Sequence, residues 1–280
     1  MRKYAGKIFD TCHIAMEILC IFVVILCIIG VLMHIITLFL LISTKRCHRI
    51  FQREYLITLC FAEIWLCISL CLDSTTIKFN KRSTPMDIFL IISYTGFGLF
   101  QYVTLTLIAI DKFTSIYMPL QYQSLTIKRH TRAVITFNAF VSLGVAVTFL
   151  SLYFHYKKDY AKVYHLISIC VWLPCDVIVL NTLILVYGYF AAIRSKLKQS
   201  DEWRQLIVST AILFSFTLFY VIPDIILVIA GHKIEDLQNV FFMMFTLNLI
   251  CDALFMTFLN RELRKKLWKT VWCSNDITPQ

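Results

Sequence analysis

The stretch ILCIFVVILCIIGVLMHIITLFLLIST, from Ile18 to Thr44, contains no Asp, Glu, Lys or Arg. Crossing the ~30 Å hydrocarbon core of a bilayer takes roughly 20 apolar residues in a helix. In lipid only a helix or a closed barrel satisfies its own backbone hydrogen bonds. The run is too long for the apolar core of a cleaved signal peptide, and no A-x-A-like site follows it, so it is expected to remain as a first membrane span. Six further segments meet the same requirement: Tyr55 to Leu72, Ile88 to Ile110, Ala133 to Tyr156, Val163 to Ile193, Gln205 to Ala230 and Leu237 to Asn260. The second is the shortest, and the second, fifth, sixth and seventh each carry one carboxylate.

Composition agrees with this pattern. Apolar residues make up 59% and charged residues 16%, with a mean hydropathy of +0.74; a soluble domain would carry about 45 to 50% and about 25%. The net charge of +10 lies in short basic clusters between apolar runs, as in membrane loops, which sets nucleic acid aside. Most of the eleven cysteines sit inside the apolar runs and read as small buried hydrophobes rather than a disulfide framework. No C-x-x-C and no H-E-x-x-H occurs, so no metal enzyme is indicated and no catalytic constellation is recognisable. The expectation is an all-α membrane protein, a seven-transmembrane helix bundle with a short amphipathic eighth helix. Residues 1–15 form a short N-terminal segment, 16–260 the bundle, and 261–280 a basic amphipathic helix and tail.

Seven spans put the termini on opposite sides. Of the 27 basic residues, ten fall on the N-terminal side, among them Arg2, Lys3, Lys7, Lys157 and Lys158, and 17 on the other. By the positive-inside rule the C-terminus is cytoplasmic. After the seventh span, Leu263, Leu267 and Val271 recur at helical spacing among basic residues, the pattern of an interfacial helix. Cys273 at its end is a candidate for palmitoylation, beside the plainer reading of an unmodified juxtamembrane cysteine.

Local motifs add a resemblance. The stretch LIAIDKFTSIYMPLQY, from Leu107 to Tyr122, resembles the L-x-x-I-A-x-D-R-Y-x-A-I-x-x-P-L-x-Y signature of rhodopsin-like (class A) G-protein-coupled receptors. Asp111, Lys112 and Phe113 stand for Asp-Arg-Tyr, and Pro119 lies in the following loop. In order along the chain, Leu59 to Glu63 is similar to the family's L-A-x-A-D, Tyr187 to its fifth-helix tyrosine, and Val221 and Pro223 to W-x-P. Asp252 to Met256 is similar to N-P-x-x-Y. The resemblance implies a plasma-membrane receptor with its N-terminus outside, relaying an unknown small-molecule, lipid or peptide ligand to a heterotrimeric G protein, with the lipid bilayer as its solvent. Several switch residues differ: Lys112 for Arg, Val221 for Trp, Ala253 for Pro and Met256 for Tyr. Asp87 stands where the family has its outer third-helix Cys, and the fourth-to-fifth loop lacks Cys, so the usual outer disulfide has no counterpart. That combination is similar to the melanocortin, lysolipid and cannabinoid branch.

A carboxylate near the bilayer centre costs several kcal/mol unless neutralised or paired, so each intramembrane acid requires a reason. The resemblance implies that Glu63, Gln101, Asn248 and Asp252 line a central polar cavity. The functional reading is a sodium or proton site, and the structural reading is a hydrogen-bonded pair holding two helices together. His34 is expected to be a packed polar contact only. Tyr94, Asp176 and Asp224 would face a ligand pocket. Asp73 and Asp87 match two of the three acids with which melanocortin-type receptors hold a divalent cation, the third place being Ile91. Tyr94 in place of the aminergic Asp, and Thr246 in place of the opsin Lys, exclude a standard amine receptor and a photopigment. A channel or transporter is the competing membrane class, without visible inverted repeats or a filter loop; a receptor fold that no longer signals is the other alternative.

Overall fold

The computed structural model describes the backbone of residues 2–43, 53–79, 83–117, 127–156, 159–197, 201–229 and 235–272. Among these there is no strand; the chain is helix after helix. Helix α1 is Arg2–Ser43, α2 is Arg53–Phe79, α3 spans 84–117, α4 is Ile127–His155, α5 spans 160–197, α6 spans 201–229, α7 spans 235–259 and α8 is Arg261–Trp272. Seven of them are long and apolar enough to cross a membrane, from Ile18–Ser43 to Val240–Leu259. Each covers the span expected from sequence to within one residue at its C-terminal end and begins before it. The largest extension is at α1, whose helix begins at Arg2 because no proline interrupts residues 2–17.

Helix starts follow local chemistry. Pro85 sits in the first turn of α3 behind Ser83, where its missing N–H leaves no bond unmade. Asp159 caps α5 by accepting from the Lys162 backbone N–H at 3.2 Å. Asn260 turns out of helical conformation (φ −78, ψ 109) between α7 and α8. Its carbonyl then accepts the first bond of α8, from the Arg264 N–H at 2.9 Å. On α8, Leu263 is fully buried against the bundle while Arg264, Lys265 and Lys269 are exposed.

Four helices loosen into a π-helical turn: Ser93–Gly98 in α3, Ser168–Trp172 in α5, Thr217–Val221 in α6 and Phe255–Leu259 in α7. Periodicity in the sequence does not show them, because a single wider turn barely disturbs an apolar run. In α6 the cause is partly legible, since Pro223 follows at once and supplies no N–H.

The packing order is that of a closed bundle around α3, which touches α2, α4, α5 and α6, while α7 touches α1, α2 and α6. Its polarity is inverted relative to a soluble protein. Ile21, Phe22, Ile25, Ile28, Leu32 and Phe39 of α1, and Phe137 and Phe140 of α4, face outward, whereas His34, Glu63, Gln101, Asp176, Asn248 and Asp252 are buried. An apolar exterior of that extent fits hydrocarbon as the surrounding solvent. Close approach is set by small residues: a methyl at Gly98 of α3 would collide with the Trp172 ring of α5, and one at Gly30 of α1 would lie 2.9 Å from Cys67 Sγ of α2. Replacing Gly98 with Ala therefore forces a rigid indole aside, and thermal unfolding of the detergent-purified protein is expected to show a loss of about 1–3 kcal/mol. An unchanged melting temperature would show that α3 and α5 separate without cost.

Candidate functional site

The first site forms at the middle of the bundle, where α1, α2, α3, α6 and α7 each contribute a polar side chain. His34 Nε2 lies 2.8 Å from the Leu249 carbonyl, and its Nδ1 lies 3.3 Å from Glu63 Oε2. Gln101 Nε2 donates to Glu63 Oε1 at 3.2 Å. On α7, Asn248 Nδ2 donates to Asp252 Oδ2 at 3.2 Å, and Asn248 Oδ1 accepts from Ser215 Oγ of α6 at 3.0 Å. The carboxyl groups of Glu63 and Asp252 are in hydrogen-bonding contact with each other. His34, Glu63, Asn248 and Asp252 are all fully buried.

Counting protons shows what this arrangement demands. A carbonyl oxygen only accepts, so Nε2 carries the hydrogen toward Leu249, and the neutral ring leaves a lone pair on Nδ1. Nδ1 and Glu63 Oε2 face each other at 3.3 Å, each without another hydrogen-bond partner among the described residues. The Glu63–Asp252 contact holds only with a further proton or a cation between the two carboxyls, since two carboxylates in contact repel. The cluster ties α1, α2 and α7 together.

The four residues expected to share a central cavity, Glu63, Gln101, Asn248 and Asp252, are thus brought together. His34 is a full member of the cluster instead of a mere packed contact, because α1 crosses at the height of Glu63. Ser215 was not singled out at all, and a serine within an apolar run gives no signal of its partner.

The acids expected around a ligand pocket are each engaged. Tyr94 OH donates to Asp73 Oδ2 at 3.0 Å, linking α3 to α2. Tyr153 OH of α4 donates to Asp87 Oδ2 at 2.8 Å. Asp73 and Asp87 thus meet tyrosines on different helices, and among the described residues no group of three or more His, Cys, Asp or Glu side chains is placed to hold a metal ion. Asp176 accepts from Tyr102 OH at 2.5 Å and lies against Asp224. Tyr102 and Tyr153 were missed by sequence reasoning, which followed charge and passed over aromatic hydroxyls.

Of the switch positions, Asp111 is buried near Tyr55 of α2. Val221 is buried in the π-helical turn of α6, one residue before the Ile222–Pro223 step. Met256 is buried with its sulfur 3.8 Å from Cys60 Sγ. Lys112, Phe113 and Tyr187 lie on α3 and α5, but their side chains, like Pro119 and Cys273 altogether, lie outside the described residues. A cavity of about 510 Å³ opens beside the start of α6, the end of α7 and α8, lined by Ile207, Leu259, Arg261 and Arg264.

The central cluster generates a contrast between two variants. Asp252→Asn supplies an N–H toward Glu63 and removes the need for a shared proton, so it should leave thermal stability unchanged or raised by up to about 1 kcal/mol. His34→Leu removes the Nε2–Leu249 bond and the polar contact with Glu63 and should cost about 1 kcal/mol. Melting curves of the purified variants that show the reverse order would dismiss the proton count. Compared with models of known protein families and with curated proteins, the chain matches none of either, so what the site does is argued from its own geometry.

Proposed function

We propose that this chain is a rhodopsin-like G-protein-coupled receptor of the plasma membrane, with its N-terminus outside and its C-terminus in the cytoplasm. The observation that carries the reading is the central cluster. Glu63 and Asp252 come from two separate motifs and Gln101 and Asn248 from their places beside them, and all four are buried within one hydrogen-bonded group at the heart of a seven-helix bundle. In this reading a proton or a sodium ion occupies the Glu63–Asp252 pair in the resting state. A ligand entering from the N-terminal side, whether small molecule, lipid or peptide, shifts α6 and α7 around it.

At the opposite end the family resemblance implies a resting pair of Asp111 with Lys112, and Glu202 in the first turn of α6 is the second partner this reading expects; the side chains of Lys112 and Glu202 lie outside the described residues. When α6 moves outward, Lys112 reaches toward the G protein. The Arg261- and Arg264-lined cavity between α6, α7 and α8 is the place for a carboxylate-bearing segment of that partner. The amphipathic α8 lies in the lipid interface with Leu263 and Leu267 inward, and Cys273 is its lipidation candidate. A receptor fold that no longer signals is the second reading, favoured by Val221, Ala253 and Met256 in place of the family's switch residues.

Orientation is tested first. An epitope at the N-terminus should be stained on intact cells and one at Gln280 only after permeabilisation; the reverse pattern removes the receptor reading. Signalling is tested at Lys112, which keeps the charge of Arg but not its planar fork of donors. Lys112→Arg should raise basal or ligand-driven G-protein activation at matched surface expression. Activity in neither form selects the non-signalling alternative.

A further inference from the structure

Asp176 on α5 and Asp224 on α6 take no part in the central cluster. Asp176 is fully buried and Asp224 is 2% exposed. Tyr102 OH donates to Asp176 Oδ1, which leaves Oδ2 of both acids without a donor from the protein. The two carboxyl groups are in hydrogen-bonding contact with each other. Ionised carboxyls only accept, so such a contact exists only as O–H···O, with one proton between them. Because the groups already touch, a proton is what fits.

The surroundings make that proton consequential. Tyr102 stacks edge-on to Phe216 at 4.8 Å and lies 5.6 Å from Trp172, and Tyr220 lies 4.4 Å from Phe245. These rings keep water from the pair, and repulsion between two anions is strong where water does not screen it. The titratable groups facing the pair are Tyr102 from α3, Tyr220 from α6 and Cys175 from α5, with Tyr164 of α5 beyond Tyr220.

Asp224 also sits at a joint. The π-helical turn Thr217–Val221 closes with the Ile222 N–H on the Thr217 carbonyl, five residues back. Pro223 then offers no N–H at all. The following segment, Ile222–Ile229, is two helical turns joined to the rest of α6 through this weakened point. Asp224 lies in its first turn, and Asp176 is the partner across on α5.

We propose that Asp176 and Asp224 form a proton-binding site in which one shared proton clasps the Ile222–Ile229 segment of α6 to α5, and whose loss releases that segment. The sign is set by the pair itself. At low pH the proton is present and the segment is held; as pH rises and the proton leaves, two adjacent carboxylates push α5 and α6 apart. One proton changes the opening equilibrium by at most about tenfold per pH unit. The proposal does not depend on the receptor reading, because it concerns only a proton and a helix joint.

Hydrogen–deuterium exchange of peptides covering 222–229, on the full chain in detergent micelles, tests it. Comparison of about pH 5 with about pH 9, corrected for the intrinsic exchange rate, should show the opening of this segment rising toward the tenfold-per-unit limit. Asp224→Asn brings its own N–H to Asp176 and holds the segment without a shared proton, so its corrected exchange should be independent of pH. Asp176→Asn should behave alike, and serves if the first variant does not fold. Glu63→Gln, in the other acid pair, should keep the wild-type dependence. Equal corrected exchange of the wild type at both pH values overturns the proposal. So does loss of the dependence in Glu63→Gln with its retention in Asp224→Asn, which would move the proton to the central cluster.

Discussion

A polar atom buried between these helices has no water to turn to, and the apolar exterior offers none either. A partner must therefore come from the same helix or a neighbouring one, and many of the buried polar side chains find theirs across a helix contact. His34 joins α1 to α2 through Glu63 and to α7 through the Leu249 carbonyl. Thr37 meets Thr257 at 2.8 Å, adding a second α1–α7 link. Gln101 and Tyr94 join α3 to α2, Tyr153 joins α4 to α3, and Tyr102 joins α3 to α5. Asp224 closes α6 on α5, and Ser215 closes α6 on α7. Helix order in the bundle is thus marked by one polar link or more at each of these contacts, while apolar side chains fill the space between.

Two of these links differ from the others in kind. A tyrosine or amide donor satisfies a carboxylate at any pH, but a carboxyl facing a carboxyl does so only with a proton or a cation. Glu63–Asp252 and Asp176–Asp224 are therefore conditional links in a set of unconditional ones. Conditional links are where a helix bundle acquires two arrangements of similar free energy, since a small change in occupancy alters which helices are held. Both pairs include a residue of α6 or α7, the helices that also carry π-helical turns near their acids. A loosened turn gives way at lower cost than a regular one, so the element with a releasable clasp is also the one able to move.

Much of this architecture is legible in the amino-acid order alone. Seven apolar runs of membrane length, the basic amphipathic stretch after the last and the few intramembrane carboxylates determine an all-helical bundle and which side chains need explaining. That holds because in hydrocarbon the cost of an unsatisfied backbone or a lone charge exceeds any local preference. The motif around Asp111 and the order of Glu63, Val221, Pro223 and Asp252 behind it carried the resemblance that anticipated the central cluster. What only the tertiary structure decided is which polar groups meet. His34 gains Glu63 because α1 crosses α2 at that height, and Asp176 gains Asp224 because α5 and α6 pack with those turns level. Asp87 gains Tyr153 and Asp73 gains Tyr94. Partners of this kind are separated by tens to hundreds of residues, and no local pattern records the rotation and rise of one helix against another, so the pairing emerges only when the helices pack.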